Sequence, residues 1–109
     1  MEIEPVPFVA VDWDQHPVVE VLGETGKASV REVQAGNLRL RMVEYSRGYR
    51  ADHWCDRGHA VHVLEGACVV EIQDGRAYPL VAGMSFYVGD GLDLHRLFTE
   101  AGCEMPIVD

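Results

Sequence analysis

No apolar run in the sequence approaches the roughly 20 residues that a membrane-spanning helix needs, so a bilayer span is not expected. Basic charge is scarce: 9 Lys and Arg stand against 18 Asp and Glu, a net charge of -9. Without a basic cluster, nucleic acid and anionic membrane surfaces are poor partners. Cysteine is sparse too. Cys55, Cys68 and Cys103 are odd in number and widely spaced, which argues against a secreted disulfide framework. The opening Met1-Glu2-Ile3-Glu4-Pro5 is acidic, unlike the basic start of a signal peptide. A reduced, cytoplasmic setting is expected. Internal repeats, low-complexity tracts and convincing helical periodicity are also missing, which leaves strands as the main element.

What is there is a chain of 109 residues, 48% hydrophobic and 25% charged. That is the composition of one globular domain with one core. Eleven glycines cut it into short segments, which suits many short strands. Residues 1–24 hold Pro5, Pro7 and Pro17. Proline fixes φ and lacks a donor, so an extended N-terminal arm is expected there, with edge-type pairing at most. Residues 25–109 are expected to form the β domain. A strand over 28–35 should end at Gly36-Asn37. Leu38, Leu40 and Met42 then alternate with Arg39 and Arg41, the period of a half-buried strand. The pattern slips at Val43, which predicts a bulge. Further strands are expected at 61–64, at 68–73 with Cys68, Val70 and Ile72 on one face, and at 76–81 after the Asp74-Gly75 hairpin signal. Strands at 84–88, 94–99 and 103–108 complete an all-β meander of nine or ten strands. An antiparallel sandwich or barrel is its natural closure.

The chemistry concentrates in the histidines: His16, His53, His59, His62 and His95. Three of them crowd into one segment, 51–62. On a strand, His53 and Cys55 share a face, and a tight Asp56-Arg57-Gly58 turn brings His59 beside them. His62 falls on the opposite face. Imidazole and thiolate together suit a borderline or soft divalent metal. The plainer alternative is a set of structural polar residues. Cys55 stays open among three roles: metal ligand, thiol made reactive by its imidazole neighbours, or inert buried thiol. Asp52 should point away and pair with Arg50 or Arg57. Trp54 shares that outward face, which would suit a dimer contact. Tyr45, Tyr49, Phe86 and Tyr87 are candidate cavity-lining aromatics.

Gly48, His53, Cys55, His59 and Gly66, followed by Gly83, Gly91 and His95, resemble the two motifs of the cupin superfamily. The departures are specific. Cys55 stands where the second motif histidine stands, and His59 where the glutamate stands. Gly89 replaces a proline, and Thr99 takes an asparagine position. A narrower resemblance spans nearly the whole chain. It is to the small single-domain cupins called DHCW-motif proteins, and it rests on Asp12-Trp13, Glu24-Thr25-Gly26, Val43-Glu44-Tyr45, Ala51-Asp52-His53-Trp54-Cys55, Gly83-Met84-Ser85, His95-Arg96 and Ile107-Val108-Asp109. The resemblance implies an all-β, single-domain cupin fold, a double-stranded β-helix or jelly-roll barrel with a pocket between its sheets. Carried over by position, it implies His53, His59 and His95 as metal ligands with Cys55 as the fourth. The metal would be a divalent transition ion: zinc, iron, nickel or copper. It also implies a homodimer, with the arm packed across the partner.

Three functions remain open on the sequence. A metal-dependent enzyme acting on a small polar metabolite needs an open coordination position and a cavity. A non-catalytic small-molecule or metal-binding and sensing module fits a closed site, as when three imidazoles and a thiolate complete a tetrahedron. A metal-free, redox-active thiol protein would rest on Cys55 alone.

Overall fold

The computed structural model describes residues 2–109; residue 1 of the expected arm lies outside the described residues. After a 3₁₀ turn at Trp13–Gln15, nine strands follow: β1 (Val19–Leu22), β2 (Lys27–Ala35), β3 (Leu38–Tyr45), β4 (His59–His62), β5 (Glu65–Ile72), β6 (Ala77–Val81), β7 (Ser85–Val88), β8 (His95–Phe98) and β9 (Cys103–Val108). The chain is all-β, as its glycine punctuation predicts, and every strand pair is antiparallel. Six strands run side by side in the order β1-β2-β3-β9-β4-β7, and β5 joins β6 and β8 in a second set. The sets meet at one corner, where Glu65 and Gly66 of β5 pair with Glu104 and Cys103 of β9. The sheet does not close into a complete barrel: β1, β7, β6 and β8 each end a run of pairing.

The corner explains a glycine. Gly66 has φ +79°, and a Cβ there would stand 2.2 Å from the Gly102 carbonyl oxygen. Only a residue without a side chain lets the two backbones cross this closely. One core fills the space between the two sets. Val43, Val61, Val63, Met105 and Ile107 come from the first set and its connection, and Cys68, Val70 and Leu80 from the second. Met105 and Val63 are 1% and 0% exposed.

Strand boundaries follow the sequence closely except in β5, expected at 68–73 but running Glu65–Ile72, and two further corrections apply. The strand expected at 61–64 begins earlier, at His59, and ends at His62. The expected bulge at Val43 is absent. Register with β2 runs unbroken from Ala35↔Leu38 to Ala28↔Tyr45, and register with β9 from Leu40↔Val108 to Tyr45↔Cys103. The slip in the pattern has another cause. Arg39, Arg41, Val43 and Tyr45 share one face of β3, and that face lines the interior cleft. The arginines therefore point inward, on the same side as buried Val43.

The N-terminal region lies along the outside. Asn37 holds it at the β2–β3 turn, donating to the Glu2 carbonyl and accepting from the Glu4 N–H. β1 is an edge strand exposed at all four residues. No helix among the described residues is long and apolar enough to cross a membrane.

Candidate functional site

A cleft of about 450 Å³ opens between the two strand sets. Its walls take alternate residues of the strands, as period-two geometry requires: Arg41, Val43 and Tyr45 from β3, His59 and Val61 from β4, His95 and Leu97 from β8, Met105 and Ile107 from β9. Tyr45, Tyr49 and Phe86 line it, as expected. Tyr87, their neighbour in sequence, is 89% exposed and does not.

Within the cleft, one ligand atom each of Cys55, His59 and His95 lies within 4.8 Å of the others. The chain positions each of them firmly. Cys55 forms an isolated β-bridge with His95: its N–H donates to the His95 carbonyl at 2.7 Å, and the His95 N–H donates to the Cys55 carbonyl at 3.1 Å. The turn after Cys55 is pinned from the far side. Gly58 N–H donates to the Asp90 carboxylate at 2.6 Å, and Gly91 N–H to the Asp56 carbonyl at 2.8 Å. A Cβ on Gly58 would meet the Asp90 nitrogen at 2.6 Å, so the close approach depends on glycine.

The hydrogen bonds fix how each imidazole presents itself. His95 Nδ1 lies 3.1 Å from the Asp93 carbonyl oxygen. Only an N–H satisfies a carbonyl, so the lone pair of His95 sits on Nε2 and faces the cluster. The Asp93 carbonyl is itself held in place. Asp93 adopts φ +44°, and its carboxylate accepts from Arg76 at 2.7 Å. His95 is 6% exposed. His59 Nε2 lies 2.8 Å from His95 Nε2. Its Nδ1 is buried without a hydrogen-bond partner, 3.8 Å from Asp109 Oδ2. Burial, then the neighbouring His95, pushes the His59 pKa down to about 4, so the ring is neutral at pH 7. Asp109 is clamped by Arg39 through Nε and Nη2 at 2.8 and 2.7 Å, with Arg41 Nη2 at 3.3 Å. Its bond to Arg39 holds its carboxyl below the usual carboxylate range.

This arrangement fits a metal ion. The His59 ring is neutral, two Nε2 atoms converge, and a thiol completes a three-donor set suited to a transition metal. The partnerless Nδ1 of His59 fits as well. Were Nε2 to hold a metal, Nδ1 would carry the proton and face the Asp109 carboxylate, the usual outer partner of a metal-bound histidine.

The structure brings together three of the four residues that the resemblance implied. His53 stands apart. Residues 51–58 form a loop rather than a strand, so strand alternation does not carry His53 to the face of Cys55. Its side chain is 78% exposed, and Nδ1 is bonded to Asp52 at 2.6 Å. Asp52 thus pairs with His53, not with Arg50 or Arg57. Trp54 is half-buried at the cleft wall, with the Arg96 guanidinium 4.3 Å above its ring. His62 bonds Ser85 Oγ at 2.8 Å and takes no part in the cluster. Cys68 and Cys103 are buried in the core and take no part in the cluster. Asp109, Arg39 and Arg41 were also missed as site residues. The one signal for the arginines was the shared parity of Arg39, Arg41 and Val43.

No family model matches the chain, and no curated protein matches it. Solved structures do. The polyketide cyclase RemF from Streptomyces resistomycificus is 20% identical and superposes with a TM-score of 0.79, over 94% of this chain and 78% of that one. Ectoine synthase from P. lautus is 18% identical with a TM-score of 0.75, over 93% and 76%. A sugar phosphate isomerase from a cupin superfamily, from Silicibacter pomeroyi, is 19% identical with a TM-score of 0.68, over 92% and 74%. At such identities the likeness is one of fold. The chain therefore has the cupin fold, an antiparallel β-sandwich, with a histidine–cysteine cluster at its cleft.

Proposed function

We propose that this protein is a small stand-alone cupin of the DHCW-motif kind. It binds one divalent transition metal through Cys55, His59 and His95 and acts on a small polar metabolite in the cleft. The observation that carries this reading is the convergence of three donor atoms within 4.8 Å at a cleft large enough for a small molecule. Three protein ligands leave a coordination position open, the pattern of catalytic rather than purely structural sites. The reading leaves His53 aside, because its ring faces solvent and is held by Asp52.

When bound, the metal would supply Lewis-acid polarisation of a substrate oxygen or an activated water. The chain's own residues do the rest. Asp93 and Asp109 orient the two imidazoles from behind. Phe86 packs its ring against both histidines, with centroids 6.1 Å from His59 and 6.3 Å from His95. That apolar wall keeps bulk water off the cluster.

Elemental analysis of the purified, untagged protein and three variants tests the reading. Near-stoichiometric metal is expected in the wild type and in His53→Ala. Loss is expected in Cys55→Ser and in His95→Ala, with outer-partner effects smaller than ligand effects. Metal retained in Cys55→Ser would remove the thiolate from the set. Loss in His53→Ala would restore the four-ligand closed site.

A further inference from the structure

We propose that the ligand of this cleft is a small organic anion, and that Arg41 and Arg57 bind its carboxylate beside the metal cluster. The inference rests on the metal-site reading above and names the class of molecule that the site would take.

The starting observation is a contrast of sign. The chain carries a net charge of -9. Yet β3 aims two arginines into the interior, where a half-buried strand ordinarily puts apolar residues. Charged side chains turned inward cost free energy unless paired, so each guanidinium must be accounted for.

Two cleft arginines are accounted for by the protein. Arg39 is forked onto Asp109. Arg96 reaches Glu71 at 3.3 Å and covers the Trp54 ring. The other two are not. Arg41 shares Asp109 through a single 3.3 Å contact, and its Nε is buried with no acceptor at all. Arg57 lines the cleft from an exposed position at the rim, where solvent rather than the protein satisfies it, and donates no side-chain hydrogen bond among the described residues. The Asp56 carboxylate also lines the cleft, but residue 56 is exposed, at the rim. What the cleft lacks is an acceptor with negative charge, at Arg41.

Position decides what such an acceptor belongs to. Asp109 Oδ2 touches both Arg41 Nη2, at 3.3 Å, and His59 Nδ1, at 3.8 Å. Arg41 is thus one carboxylate away from the histidine cluster. A molecule anchored at Arg41 presents its other end to Cys55, His59 and His95. A planar carboxylate matches the planar guanidinium donor set, and charge-assisted bonds of this kind are the strong ones. The cleft volume of about 450 Å³ suits a molecule of metabolite size.

The test uses malonate, succinate and glycolate as probes, with malonamide as the neutral control and inorganic phosphate as the competing anion. Binding is measured by calorimetry on the full chain, both stripped of metal and loaded with zinc, with metal content determined on each sample. At least one carboxylate should bind metal-free wild type saturably, and malonamide should not. Arg57→Gln, at an exposed residue, should weaken that binding roughly tenfold or more, as expected for loss of a charge-assisted bond. Arg41→Gln should do the same, provided that its circular dichroism matches wild type. Lys27→Gln, on the outer surface and paired with Glu20, should have no effect. The inference is overturned if no carboxylate binds, if phosphate binds more tightly than all of them, or if both arginine variants bind as wild type does. The two readings fail separately. Absent metal with arginine-dependent binding intact removes the metal site alone, whereas bound metal without arginine-dependent binding removes the anion site alone.

Discussion

His59 is the residue on which most of the site's physics converges. It is buried, it faces His95, and it has one nitrogen without a partner. Its pKa falls to about 4 in the folded chain, whereas an unfolded imidazole titrates near about 6.5. Between those values the unfolded chain takes up a proton that the folded chain refuses. Stability of the metal-free protein should therefore fall as pH drops from about 6.5 toward 4, and level off below. Asp109 works in a lower window. Its folded pKa lies below the carboxylate range, so its contribution is present above about 3.9 and is lost as pH falls through the folded value. Urea midpoints measured across pH 4–7 on metal-free protein should slope in wild type and flatten in His59→Gln. An equal slope in both would assign the acid sensitivity elsewhere. Much of this residue-level picture was legible in the sequence. The spacing within 51–62 brought Cys55 and His59 into one hypothesis, and the cupin resemblance added His95. His53 falls outside the cluster because residues 51–58 form a loop, bonded to β8 at Ala51 and Cys55 but not at residue 53. Period-two reasoning has no force where there is no strand.

At the scale of elements, turns were easier to read than faces. Asp74-Gly75, Ala82-Gly83 and Gly36-Asn37 each mark where one strand gives way to the next. The face of β3 was harder. A bulge and an inward arginine row leave the same trace in the sequence, and only register separates them. The β5–β9 corner was invisible for a similar reason. Gly66 and Gly102 are 36 positions apart, and their contact depends on the path of the whole sheet. That corner makes a clear prediction. Gly66→Ala sets a Cβ into the Gly102 carbonyl at 2.2 Å and forces φ +79° on a residue that resists it. The cost should exceed the roughly 1–2 kcal/mol of the backbone conformation alone. Gly75→Ala, at φ +105° with open space around it, should show only that backbone cost. Equal losses for the two in denaturant titration would mean that the corner is not under steric constraint.

Across the whole molecule, the two strand sets are held by the core, the β5–β9 corner and the cluster. His59 comes from β4 in the first set and His95 from β8 in the second, with Cys55 on the loop bridged to His95. A metal at this position would tie the two sets together, so binding and stability should be linked. The charge distribution has the same logic. The chain is acidic overall, whereas its inward arginines, joined by a metal if one binds, would make the cleft locally positive. The central claim is that Cys55, His59 and His95 form a single three-ligand site. The most direct test is a cobalt(II) titration of metal-free protein, followed by absorption. A thiolate-to-cobalt charge-transfer band should grow to saturation at one equivalent in wild type and in His53→Ala, and should be missing in Cys55→Ser. A wild-type protein that takes up no cobalt, or an unchanged band in Cys55→Ser, would contradict the account.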